Sequence, residues 1–189
     1  MRKSIIALLV LSIFCSISCT QNSDAFLSKN GFGPVRLGAV ISKLPAQSEG
    51  IYDCIVPEKE EEFDYEGTIY HLELAGERIA TLIENEKKIH AIEIVSNKIR
   101  TSDGIGLHLS VEDLLKKGGE AYCDNYGFEG ILYKGMLFSG MELSKSGLKK
   151  AEDAYLLGVE PLFFVSDFEP GASPTQITLA EWYAKTVNP

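Results

Sequence analysis

Thr68-Ile69-Tyr70-His71-Leu72-Glu73-Leu74, Arg78-Ile79-Ala80-Thr81-Leu82-Ile83 and Ile89-His90-Ala91-Ile92-Glu93-Ile94-Val95 are three β-favouring runs. They are separated by Ala75-Gly76-Glu77 and Asn85-Glu86-Lys87. Short connections between β-branched and aromatic runs are hairpin signals, so the stretch reads as an antiparallel meander. In its last run His90, Ile92 and Ile94 share one face, and Ile89, Ala91 and Val95 share the other with Glu93. Both faces are fairly apolar, which places this strand in the middle of a sheet.

Outward from the meander, Ser110-Val111-Glu112-Asp113 opens a helix. Ser110 is the cap, Asp113 stands at the third helical position, and Lys116-Lys117-Gly118 supplies a basic last turn and a stop. Val111, Leu114 and Leu115 form its buried stripe over about two turns. Ile131-Leu132-Tyr133 and Met136-Leu137-Phe138 then face each other across Lys134-Gly135 as a tight hairpin. Residues 146–157 fit neither alternation nor helical spacing well and remain open between a helix and a looped insertion. Leu162-Phe163-Phe164-Val165, bounded by Pro161 and Asp167, reads as a buried strand. Ile177 to Tyr183 reads as a final strand or short helix. The fold class expected is α+β: one sheet-rich antiparallel domain with one or two short helices.

A shift of 70 residues places Val35-Arg36-Leu37 on Ile105-Gly106-Leu107, Ile41 on Val111, Leu44 on Leu114 and Tyr52 on Tyr122. The domain at 31–189 therefore divides into possible halves at 31–100 and 101–189, whose sheets would join in one layer with helices on one face. Chance and common packing needs are the competing explanation of the matched apolar positions.

The first residues give an address. Arg2 and Lys3 precede an apolar run from Ile5 to Phe14, and Ser16-Ile17-Ser18-Cys19 leads into the polar Thr20-Gln21-Asn22-Ser23-Asp24. That is the order of an export signal, and the apolar core falls short of the roughly 20 residues a spanning helix needs. Ser16-Ile17-Ser18-Cys19 resembles the lipobox of bacterial lipoproteins, with Ser16 where leucine is usual. The resemblance implies a signal peptide over 1–18, lipidation of Cys19 and a membrane anchor, with a polar tether over 19–30. An ordinary secretory signal cut nearby is the alternative, and either is extracytoplasmic. Thr20 stands where inner-membrane retention in enteric bacteria uses aspartate, which favours the outer membrane if that rule applies.

Loss of residues 1–18 removes Arg2 and Lys3 and takes the net charge from −9 to −11. Such a charge disfavours nucleic acid or an anionic lipid surface as the main partner and allows a basic one. With 45% apolar residues the chain has enough to build a core.

Cys54 and Cys123 are the other thiols of the mature domain. In an oxidising compartment they invite a disulfide, against two separately buried free thiols. They sit at nearly equivalent places, Tyr52-Asp53-Cys54 and Tyr122-Cys123, in the two possible halves.

His71, His90 and His108 lack metal-ligand spacing and read as strand-face or interfacial side chains. No Gly-x-Ser-x-Gly elbow or P-loop occurs. No catalytic residue, metal ligand or cofactor is expected. Glu58-Lys59-Glu60-Glu61-Glu62 with Asp64 reads as a solvated loop or charge-protected edge, with weak calcium binding or a basic partner as alternatives. Tyr122, Tyr126, Phe128, Tyr133 and Phe138, with Tyr65 and Tyr70, read mainly as core. A sugar or peptide platform would need several of them exposed on one face.

Gly38-Ala39-Val40-Ile41-Ser42-Lys43-Leu44 resembles the Gly-Met-Ser/Thr-x-x-x-Val/Leu turn of small bacterial envelope lipoproteins with the β-lactamase-inhibitor-protein-like fold, including the BamE family. Ala39 and Val40 replace Met and Ser/Thr. The functional expectation is a membrane-anchored, non-enzymatic envelope lipoprotein that binds or scaffolds an envelope protein. A hydrolase or small-molecule binder with a site between the halves is the alternative.

Overall fold

Alternating apolar residues and three tight turns produce the framework of the domain. A computed structural model describes residues 26–58, 68–124, 127–157, 163–181 and 183. The chain forms a ribbon of β1 (Gly31–Phe32) and β2 (Val35–Arg36), a 3-10 turn at Ile41–Lys43, and β3 (Cys54–Pro57). It continues through β4 (Ile69–Leu74), β5 (Glu77–Asn85), β6 (Lys88–Ile94), α1 (Val111–Lys116), β7 (Glu120–Asp124), β8 (Gly127–Tyr133) and β9 (Met136–Ser139). It then forms α2 (Lys145–Leu157), a 3-10 turn at Val165–Asp167, and β10 (Gln176–Ala180).

Eight strands form one antiparallel sheet in the order β3-β4-β5-β6-β10-β9-β8-β7. Read from either edge, the order is that of four strands from one half, and the halves meet where β6 pairs with β10. The second half differs by the insertion 140–175, which carries α2 and the second 3-10 turn. The meander expected from the sequence is present as β4, β5 and β6, with β6 in the middle of the sheet.

Three hairpins place two consecutive residues at positive φ: Ala75 and Gly76 (55° and 76°), Glu86 and Lys87 (50° and 65°), Lys134 and Gly135 (50° and 76°). Such turns match the twist of the strands they join.

The core is built on a row of directly opposed side chains running through the eight strands of this sheet. Ile55, Leu72, Ala80, Ile94, Ile177, Phe138, Ile131 and Ala121 follow one another from edge to edge. The six inner members are fully buried. The helical elements cover this face: Val111 and Leu114 of α1 and Ile41 of the first 3-10 turn are buried in the same cluster. Ser110 caps α1 by accepting the Asp113 N–H at 3.1 Å, so the expected start of the helix is the observed one.

Bulges change two side-chain directions. Leu72 pairs with Ala80 but Glu73 pairs with Arg78, which leaves Ile79 as the extra residue and buries it in the core beside Ala80. Ile83 pairs with Ala91 but Glu84 pairs with Ile89, so His90 is the extra residue of β6. The facing read from strict alternation is corrected there: Ile89 joins Ile92 and Ile94 in the core, and His90 is exposed.

Three further expectations change. The stretch 146–157 belongs to a helix, whose N-terminal Ser144 Oγ accepts the Gly147 N–H at 3.2 Å. Among its described side chains, Gly147 and Ala154 are buried and Ala151 packs against the core, whereas Leu148, Leu156 and Leu157 are exposed. The strand expected over 162–165 is not formed at the described residues 163–165. Phe163 is buried, Phe164 and Val165 are exposed, and the Asp167 carboxylate accepts the Phe164 N–H at 2.8 Å to hold a 3-10 turn. This local capture of the backbone competes with sheet pairing. The tether expected through residue 30 ends sooner, because Leu27 is buried in the core and donates its N–H to the Arg100 carbonyl at 2.8 Å.

Of the two alternatives left open for Cys54 and Cys123, a bridge or free thiols, the structure has Cys54 as a free thiol. It donates to Glu73 Oε2 at 3.6 Å. Cys54 lies on β3 and Cys123 on β7, the two outer strands of the sheet. Seven strand spacings lie between them, roughly 30 Å along the sheet, against the 4.4–6.8 Å that a disulfide spans between Cα atoms. Thiol titration of the denatured, unreduced mature protein will count both cysteines as free; a monomer in which neither reacts would overturn this topology.

Candidate functional site

The side chains that point away from the helical layer form a second row, one position along each strand from the core row. Val56, His71, Thr81, Glu93, Thr178, Leu137, Leu132 and Glu120 oppose one another in that order across the sheet. The core row is apolar throughout; this one has four polar residues in succession, His71 to Thr178, and Glu120 at its far edge. Position within the pleat explains which side each takes, since Leu72, Ile94 and Ile177, their chain neighbours, point inward.

The two ends of this face differ. Towards the second half, Ala91, Leu137, Ala180 and Tyr183 form a small buried cluster against which Ile83, Tyr122 and Leu132 pack. The Tyr183 ring meets Tyr122 edge-on at 5.3 Å. Towards the first half the face is polar. His71 Nε2 lies 3.5 Å from Glu58 Oε2, and its Nδ1 lies 3.4 Å from Thr81 Oγ1. Gln176 donates to Thr178 Oγ1 at 3.1 Å and also hydrogen-bonds Glu93.

Glu93 is the electrostatic centre of the face. Burial pushes its carboxyl above the ordinary carboxylate range, against the Gln176 hydrogen bond and the nearby Arg78 charge, which both lower it. It forms no ion pair within 4 Å among the described residues. Cys54 occupies the outer edge of the same face. Burial raises its thiol, and the charge and hydrogen bond of Glu73, with the charge of Asp53, raise it further. A thiol held in its protonated form is a poor nucleophile.

Glu58, His71 and Thr81 follow the order carboxylate, imidazole, hydroxyl. Thr81 is only 8% exposed, however, and its hydroxyl faces His71 of the neighbouring strand, which leaves it poorly placed for an incoming substrate. An open cleft of about 650 Å³ exists elsewhere, lined among others by Ser110, Glu112, Ser144, Ser166, Phe168 and Glu169. It lies within the second half, not between the halves, and Ser110 and Ser144 spend their hydroxyls on helix N-termini.

Of the residues singled out in the sequence, His71 lies on the open face, while His90 and His108 are exposed. Glu58 of the acidic run reaches His71, and residues 59–64 lie outside the described residues, as does Cys19. Tyr133 and Phe138 are core residues, Tyr70 is half-buried against the core, and Tyr65 and Tyr126 lie outside the described residues. Among the described residues no three His, Cys, Asp or Glu side chains are placed to hold a metal ion. Thr81, Glu93, Gln176 and Thr178 had not been singled out. Glu93 carried a signal, as the lone charge between Ala91 and Val95 on its side of the strand.

No helix among the described residues is long and apolar enough to cross a membrane. No family model and no curated protein matches the chain. A solved structure described as the uncharacterized protein yfeY from Escherichia coli is similar to it at 14% identity, covering 82% of this chain and 99% of that one, with a TM-score of 0.46.

Proposed function

We propose that the chain is a lipid-anchored lipoprotein of the cell envelope, held through Cys19, whose domain is a non-enzymatic binding or scaffolding module. The observation that carries the binding role is the open face, where a polar row crosses a sheet whose other side is packed under helices. His71, Thr81, Glu93 and Thr178 follow one another there between the apolar Val56 and Leu137, a mixture of polar and apolar groups of the kind found at protein contacts. The anchor rests on the lipobox-like Ser16-Ile17-Ser18-Cys19.

Both parts are tested in cells with the full chain. Photo-crosslinking side chains placed at Val56 or Val95, exposed on the open face, will give discrete protein adducts, whereas one at Glu112 of α1 will not. Cys19→Ala will move the protein from the membrane to the soluble fraction. Equal adducts from both faces would remove the docking role, and a wild-type N-terminus without lipid would remove the anchor.

A further inference from the structure

Glu93 on the open face is a half-buried carboxyl with no ion pair within 4 Å among the described residues, and that arrangement names the chemistry of a partner. We propose that Glu93 receives a lysine or arginine side chain from a basic segment of a protein partner laid across the open face. The inference rests on the docking role proposed above and specifies its chemistry.

Four observations point the same way. Glu93 is half-buried at the centre of the polar row, with Thr81 opposite on one strand and Thr178 on the other. Its carboxyl is hydrogen-bonded by the neutral Gln176 side chain, and the Arg78 charge acts on it without an ion pair within 4 Å. Glu58 and Glu73 stand on the same face, against which the described cationic side chain is the exposed Arg78, with the imidazole of His71 beside Glu58. Val95, two residues from Glu93 on the same side of the chain, and Val56 at the outer edge are 37% and 38% exposed.

A lysine or arginine supplies what this arrangement lacks. Its charge would compensate a carboxylate already partly stripped of water, where attraction is stronger than at a free surface. Its methylene stem would lie on the exposed valines. The chain's net charge of −9 adds a general attraction that speeds encounter with a basic partner.

The test uses the full lipoprotein in detergent micelles and a deca-lysine peptide, with deca-glutamate as control. Deca-lysine will bind and deca-glutamate will not. Glu93→Gln will weaken deca-lysine binding at least tenfold, whereas Glu112→Gln, which removes the same charge from exposed α1, will change it less than twofold. A thermal melt of each variant separates lost binding from lost fold. Carbodiimide coupling of the bound peptide will give an adduct at Glu93. Equal losses in the two variants, or adducts confined to Glu58, Glu60, Glu61 and Glu62, would overturn the proposal. If adducts from Val56 and Val95 persist in cells with Glu93→Gln at full strength, the cationic contact falls while the docking face stands. If those positions yield no adducts, the docking role itself falls.

Discussion

Phe138→Ala will lower the unfolding free energy by about 3–5 kcal/mol, the range for removing a buried aromatic side chain. Phe138 is fully buried and stands in the core row between Ile177 of β10 and Ile131 of β8. It therefore supports both sides of β9, the strand that carries the rest of the second half onto the joining strand. The space left would be walled by two paired strands and could not collapse without breaking their register. Domains of ordinary stability hold only about 5–15 kcal/mol, so this one change removes a large share. Urea unfolding is the measurement, with Val95→Ala at the exposed end of the other face as reference; a Phe138→Ala loss under about 1.5 kcal/mol would contradict the described packing.

Asp167→Ala will cost roughly 2–3 kcal/mol, because it orphans a backbone donor and a partly buried cation together. Asp167 is 5% exposed, accepts the Phe164 N–H at 2.8 Å and pairs with Lys150 of α2. Lys150 also lies over the Phe163 and Phe164 rings at 5.8 and 5.0 Å. Gly147 completes the junction, since a Cβ there would overlap the Asp167 carbonyl oxygen. Burial raises the Asp167 carboxyl, but the bonds from Lys150 and the Phe164 N–H outweigh it and hold the group below its ordinary value. A depressed carboxyl contributes stability that is complete above the unfolded value near 4 and lost as pH falls through the lower folded value. Asp167→Asn will flatten that acid limb. Hydrogen exchange on α2 will show the Asp167→Ala loss as opening of the insertion before the sheet; unchanged α2 protection would contradict the assignment.

Legibility in the sequence followed the visibility of each physical cause. β4, β5 and β6 were legible because alternation and turn residues are local, and α1 because Ser110 and Asp113 announce its cap. α2 was obscure because the inward residues described in it, Gly147, Ala151 and Ala154, are small, while its large apolar Leu148, Leu156 and Leu157 are exposed. The 163–165 stretch misled because Asp167, beyond the apolar run, decides its backbone. The choice left open between a Cys54–Cys123 bridge and free thiols turns on geometry that the sequence does not display. Equivalent positions in two halves that join at their last strands stand farthest apart, not closest. The polar row escaped notice because His71, Thr81, Glu93 and Thr178 come from four strands and meet only once the register is known.

The seam between β6 and β10 also bears on how the domain assembles. Each four-stranded half closes mostly through neighbours in sequence, but Ala91 finds Ala180 only after nearly ninety intervening residues. Loop closure of that length is slow relative to hairpin formation. Until β10 arrives, β6 and β9 each present an open strand edge of the kind that recruits foreign strands. The last strand is thus a late-arriving clasp, and a chain cut short before Gln176 would remain permanently in the state most prone to aggregate.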